Sequence, residues 1–206
     1  MLALIVRHSW RLAILLSMLL WGIALPSFAA TTPLTGIKQI SVGTTYACGL
    51  TNGGEVKCWG SGDVGNIKLT SYTIPVSIPE FTDIKSVSVG TDYTCAITNG
   101  DKVKCVGRNV GYDPTVEASK PQIYTTPTEI SGLSEITGIS TGGFMCALRN
   151  GVGVYCWGVI LFSSSREYVQ TTPKLLSGLD REVTAVTVGG SHACFLKNSK
   201  VYCWGN

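Results

Sequence analysis

Residues 48–60 read CGLTNGGEVKCWG. Two cysteines flank a turn, and Trp59-Gly60 closes the run. Asn52-Gly53 sits between two short runs of strand-forming residues, a strong hairpin signal because both residues tolerate positive φ. Folding the stretch about that turn sets Cys48 opposite Cys58, Leu50 opposite Val56 and Ala47 opposite Trp59. Directly opposed residues in a non-hydrogen-bonded pair bring their Cα atoms to about 4.5 Å, within reach of a disulfide.

The same text recurs. YTCAITNGDKVKCVG occupies 93–107, FMCALRNGVGVYCWG 144–158 and HACFLKNSKVYCWG 192–205. Each copy follows a short strand-like motif closed by glycine: ISVG at 40–43, VSVG at 87–90, ISTG at 139–142 and VTVG at 186–189. A proline marker accompanies each copy, TTP or TIP, at Pro33, Pro75, Pro127 and Pro173. The period is roughly 50 residues, the mark of a repeat architecture. No useful run of helical periodicity follows residue 30.

All eight cysteines belong to these units, as Cys48/Cys58, Cys95/Cys105, Cys146/Cys156 and Cys194/Cys203. A separation of 10 predicts a three-residue hairpin loop and the separation of 9 in the last unit a two-residue loop; both leave the cysteines face to face. Four local disulfides are therefore expected. Zinc sites favour C-x₂₋₄-C and redox centres C-x-x-C, and neither spacing occurs here; buried free thiols remain the other alternative. Trp59, Trp157 and Trp204 each follow a cysteine and so face the opposite side of their strand, where the second unit has Val106. Packing between adjacent sheets is the expected use of that position. Gly60, Gly107, Gly158 and Gly205 end their strands at points of close approach or a bulge.

The N-terminus has a different character. Arg7, His8 and Arg11 precede an apolar run from Leu12 to Leu25, then Pro26 and the small residues of SFAA. That order describes a secretory signal peptide over 1–29; the run is short for a spanning helix, which wants about 20 apolar residues. A membrane association follows only if the segment stays uncleaved. Its removal takes Arg7 and Arg11 away and leaves acidic and basic residues almost balanced. A near-neutral chain offers no basic field for nucleic acid. An even cysteine count behind a signal peptide implies an oxidising compartment, so the expected location is secreted, periplasmic or cell surface.

The units SVGTTYACGLTNGGEVKCWG (41–60) and VTVGGSHACFLKNSKVYCWG (186–205) resemble repeats of the regulator of chromosome condensation family, and most closely its secreted bacterial branch with paired cysteines. The resemblance covers residues 30–206 as four repeats, about 31–72, 73–124, 125–170 and 171–206. It implies an all-β chain: a β-propeller of four-stranded blades, with four blades present as a partial or open propeller, where the family's usual ring has seven. The histidine that the family favours two positions before the first cysteine occurs only as His192; Tyr46, Tyr93 and Phe144 hold the place elsewhere.

Catalysis has little support. His192 is the one histidine after the signal segment, at a position its sibling repeats fill with aromatic residues. No recurring carboxylate pair, nucleophile elbow, phosphate loop or zinc motif appears. No catalytic residue, cofactor or metal is expected. The family resemblance implies a platform for a protein partner, since loops from successive repeats build one broad surface. The loops 61–72, 108–124 and 159–170 carry the candidate contacts Tyr72, Arg108, Tyr112, Tyr124, Phe162, Arg166 and Tyr168, aromatic and arginine residues of the kind enriched at interfaces. Self-association through exposed blade edges is a further expectation. Alternatives are a piece of a longer surface repeat protein with a structural role and, more distantly, a secreted hydrolase.

Overall fold

A computed structural model describes residues 33–70, 74–108, 123–163 and 166–205. The description covers the repeat region; the signal segment expected over 1–29 lies outside it. Among the described residues there is no helix, and so none long and apolar enough to cross a membrane.

The chain forms four blades in sequence order. Blade 1 contains β1 (Ile37–Val42), β2 (Tyr46–Thr51), β3 (Val56–Gly60) and β6 (Val76–Ser77), with a small hairpin of β4 (Gly62–Val64) and β5 (Ile67–Leu69) inserted before β6. Blade 2 contains β7 (Ile84–Val89), β8 (Tyr93–Thr98), β9 (Val103–Arg108) and β10 (Ile123–Glu129). Blade 3 contains β11 (Ile136–Thr141), β12 (Met145–Arg149), β13 (Gly153–Ser163) and β14 (Arg166–Asp180). Blade 4 has three strands, β15 (Val183–Val188), β16 (His192–Lys197) and β17 (Lys200–Gly205). Every blade is an antiparallel meander, and Pro75, Pro127 and Pro173 lead or lie in the outer strand of the preceding blade rather than opening a new one.

The expected register is observed. Cys48 pairs with Cys58, Leu50 with Val56 and Ala47 with Trp59; Cys194 pairs with Cys203. Loop lengths follow the cysteine spacing. Thr51 N–H donates to Glu55 O at 2.9 Å and Thr98 N–H to Lys102 O at 2.9 Å, so each closes a three-residue loop. Lys197 pairs with Lys200 around a two-residue loop in which Asn198 and Ser199 both have positive φ. One detail differs from the sequence reading. In the first two hairpins positive φ falls on the third loop residue, Gly54 or Asp101, and not on Asn-Gly itself. The common three-residue loop puts its left-handed residue last, to rejoin the twisted strands, whereas in the third hairpin Gly151 has the positive φ.

The core is divided between the blades. One face of each central hairpin looks forward to the next blade and the other looks back. Cys48, Leu50 and Cys58 pack with Val87, Ala96 and Val106 of blade 2. Cys95, Ile97 and Cys105 pack with Ile136, Ala147 and Trp157 of blade 3. Cys146, Leu148 and Cys156 pack with Val188, Ala193 and Phe195 of blade 4. The alternation of a strand thus sends the disulfide to one interface and the tryptophan position to the other.

Candidate partner-binding surface

The blade plan gives each blade two ends. At one, the central hairpin tips meet the connections between blades: Ile84 N–H donates to Gly54 O and Ile136 N–H to Asp101 O, each at 3.1 Å. That end is stitched by backbone. The other carries the turns after the inner strands and the variable connections from the third to the fourth strand. Gly60 and Gly107 make this second end compact. Their φ values are +133° and +114°, and a Cβ there would lie 2.6 Å from the Cα of Tyr46 or Tyr93.

Of the candidate contact residues, Arg108 stands at this variable end. Arg108 ends β9 with an exposed side chain, and its N–H donates to Asp92 O at 2.9 Å. Tyr124, in β10, is half-buried against the core between blades 2 and 3. Tyr72 and Tyr112 lie outside the described residues. The backbones of Phe162, Arg166 and Tyr168 lie in β13 and β14, while their side chains are outside the description.

The segment 159–170 is not a loop in the structure. β13 and β14 continue their pairing through Gly158/Gln170, Val159/Val169, Ile160/Tyr168 and Leu161/Glu167 to Ser163/Arg166. The signal was present in the sequence as VILF and YV on either side of the polar stretch SSSRE, two runs of strand-forming residues about a polar turn. The segment 61–69 also forms a hairpin, β4–β5. Asn66 N–H donates to Thr125 O at 2.8 Å, which ties this insertion of blade 1 to blade 2. Neither hairpin was expected from the repeat pattern, because both fall where the repeats diverge.

The position preceding the first cysteine works between blades. Tyr46 Oη and Thr94 Oγ1 are 2.9 Å apart, and Tyr93 Oη donates to Gly142 O at 2.9 Å. Burial pushes the Tyr46 phenol up to about 12, and burial raises Tyr93 as well. Phe144 packs edge-on against Trp204, with ring centroids 5.7 Å apart. His192, the fourth member, is exposed on the free side of blade 4. All eight cysteines are joined, as Cys48–Cys58, Cys95–Cys105, Cys146–Cys156 and Cys194–Cys203, with Cα separations of 4.1, 4.1, 4.2 and 4.1 Å. Among the described residues, no three His, Cys, Asp or Glu side chains cluster as a metal would need.

Residues 37–66 and 84–111 match the family model of the Regulator of chromosome condensation (RCC1) repeat. These two stretches are repeats of the regulator of chromosome condensation family. Blades 3 and 4 keep the same strand order and disulfide position. Among solved structures, human WBSCR16 superposes with a TM-score of 0.65 at 21% identity over 85% of this chain and 50% of that one. Yeast RCC1 (Prp20), solved with Kap60 bound, gives 0.68 at 19% identity over 85% of this chain and 45% of its own. Prp20p from Saccharomyces cerevisiae, described with its binding to Gsp1p and histones, gives 0.68 at 19% over 85% and 47%. At these identities the likeness is one of fold. The chain spans about half the length of these RCC1-type propellers. A search of curated proteins found no match.

Proposed function

We propose that the protein is a secreted or surface-exposed binding module of the paired-cysteine RCC1 type, acting on a protein partner without catalysis. The observation that carries this reading is the β13–β14 arm. It extends past Gly158 as a two-stranded ribbon whose sequence is rich in apolar and aromatic residues, Val159, Ile160, Leu161 and Phe162 on β13 and Tyr168 and Val169 on β14. A two-stranded ribbon has too few strands to sequester such a sequence by itself. A partner surface supplies the missing layer. Arg108 and Tyr124 flank the third-to-fourth-strand connection of blade 2 at the same blade end. Prp20 itself binds proteins, by its description, and the class of ligand is what is carried over here. Four disulfides support an oxidising location, and the signal-like segment 1–29 supports export.

The test is site-specific photo-crosslinking in the extracytoplasmic fraction of the native host, with the probe at Tyr168, Arg108 or, on the opposite blade end, Asn52. Discrete protein adducts are expected from positions 168 and 108 and not from 52. Equal labelling from all three, or none, overturns the reading. N-terminal sequencing of the exported protein is expected to start just after Ala29 or Ala30.

A further inference from the structure

One amide side chain marks a place in the contact between successive blades. Gln39, opposite Leu50 on β1, lays its carboxamide along β7. Its Oε1 accepts from Val87 N–H at 3.0 Å, and its Nε2 donates to Val87 O at 3.1 Å and to Ser86 Oγ at 3.5 Å.

Between blades 3 and 4 the same place is filled differently. Gly138, opposite Leu148 on β11, holds the register of Gln39 and brings no side chain. Ala185 and Val186 of β15 hold the registers of Ser86 and Val87. Val188 N–H donates to Ser140 Oγ at 2.9 Å, as Val89 N–H does to Ser41 Oγ at 2.9 Å. Residues two apart on a paired strand turn their backbone groups the same way, so Val186 presents its N–H and C=O toward blade 3 as Val87 presents them to Gln39. A cavity of about 470 Å³ lies here, with Gly138, Ile139, Leu148, Asn150, Ala185 and Val186 in its lining. Both of its walls belong to adjacent blades of this chain.

We propose that this cavity receives the primary carboxamide of a glutamine side chain carried by a protein partner. The pattern of donor and acceptor selects the group. Val186 offers one N–H and one C=O side by side, and a primary amide sets an acceptor oxygen beside a donor N–H. A carboxylate only accepts, which would set an oxygen against Val186 O. A secondary amide in the trans form carries its N–H on the side away from its oxygen. Ile139 and Leu148 supply an apolar wall for the methylene stem. Glutamine is the side chain that already makes this contact between blades 1 and 2. The proposal takes from the reading above only that the partner is a protein. It uses neither the β13–β14 arm nor Arg108, so the two fail separately.

The test is the ¹⁵N–¹H spectrum of the oxidised chain, read at the Val186 amide during titration with the blocked peptide acetyl-Ala-Gln-Ala-N-methylamide. Two control peptides carry glutamate, or glutamine methylated on Nε2, in the same place. The glutamine peptide is expected to shift the Val186 resonance saturably, in the millimolar range, and the controls to bind at least about tenfold more weakly. Gly138→Gln is expected to abolish the shift by filling the place from within; a Cβ there meets only Leu148, at 3.4 and 3.7 Å. Gln39→Gly is expected to make the Val87 amide respond to the same peptide. Fully blocked thiols and an unchanged circular dichroism spectrum report that each variant folds, and the three-peptide comparison on the wild type decides the matter where a variant does not. An unmoved Val186 resonance overturns the proposal, as do equal shifts from the three peptides or a shift that survives in folded Gly138→Gln.

Discussion

At the scale of single residues, the disulfides differ in one respect, which is what covers them. Cys48, Cys58, Cys95, Cys105, Cys146 and Cys156 are fully buried between blades, while Cys194 is half-buried and Cys203 exposed. Thiol–disulfide exchange requires access to the sulfur, so graded dithiothreitol is expected to open Cys194–Cys203 first, with the other three intact. Differential alkylation read by mass spectrometry checks this; simultaneous reduction of all four would refute it. Tyr46 sets a second expectation. Unfolded, its phenol ionises near pH 10; folded, burial delays this to about 12. The stability it contributes is intact below pH 10 and is lost as pH rises from 10 through 12. Tyr93 is shifted in the same direction for the same reason. The denaturant midpoint is therefore expected to fall between pH 9.5 and 11.5, less steeply in Tyr46→Phe and less again when Tyr93→Phe is added. Equal slopes in all three proteins would remove the assignment.

At the scale of elements, blades are joined by side chains that reach across to a neighbour's backbone. Gln39 is the fullest case. Its Oε1 accepts from Val87 N–H at 3.0 Å and its Nε2 donates to Val87 O at 3.1 Å, so one amide satisfies both polar groups of a residue in β7. Gln39→Ala is expected to cost about 2 kcal/mol by leaving both unpaired, whereas Lys38→Ala, exposed on the same strand, stays within about 0.5 kcal/mol of wild type. Urea titration of the oxidised protein measures the difference. None of this bonding was legible in the sequence, because nothing about Gln39 marks a partner 48 residues away. The hairpins were legible, since a cysteine gap, a turn and an alternating pattern all concern neighbours along the chain. For the same reason the cysteine pairing and the opposite orientation of Trp157 could be read directly. The β4–β5 and β13–β14 hairpins escaped because the repeats, which supplied the reading frame, stop resembling one another there. The candidate contacts shared that weakness: Tyr124 proved to lean on the core, and its neighbours lie where the sequence is most variable between units.

At the scale of the whole molecule, a row of blades in which each contacts its neighbours distributes stability unevenly. Among the described residues, blades 2 and 3 have a blade on both sides, and blade 4 has one neighbour and three strands. Amide hydrogen exchange is expected to be slowest in β8 and β12 and fastest among the hairpin strands in β16 and β17, by at least about tenfold. Uniform protection would mean that the array unfolds as one unit. A consequence also follows from where the disulfides close. Each joins residues 9 or 10 apart, within one blade, and none links two blades. On the export route proposed above, a blade leaving the channel can therefore be oxidised before the next one appears, with no distant cysteine to wait for. Over evolutionary time, duplication or loss of a whole unit leaves no orphan thiol behind, so the number of blades can change while the redox chemistry of each stays intact.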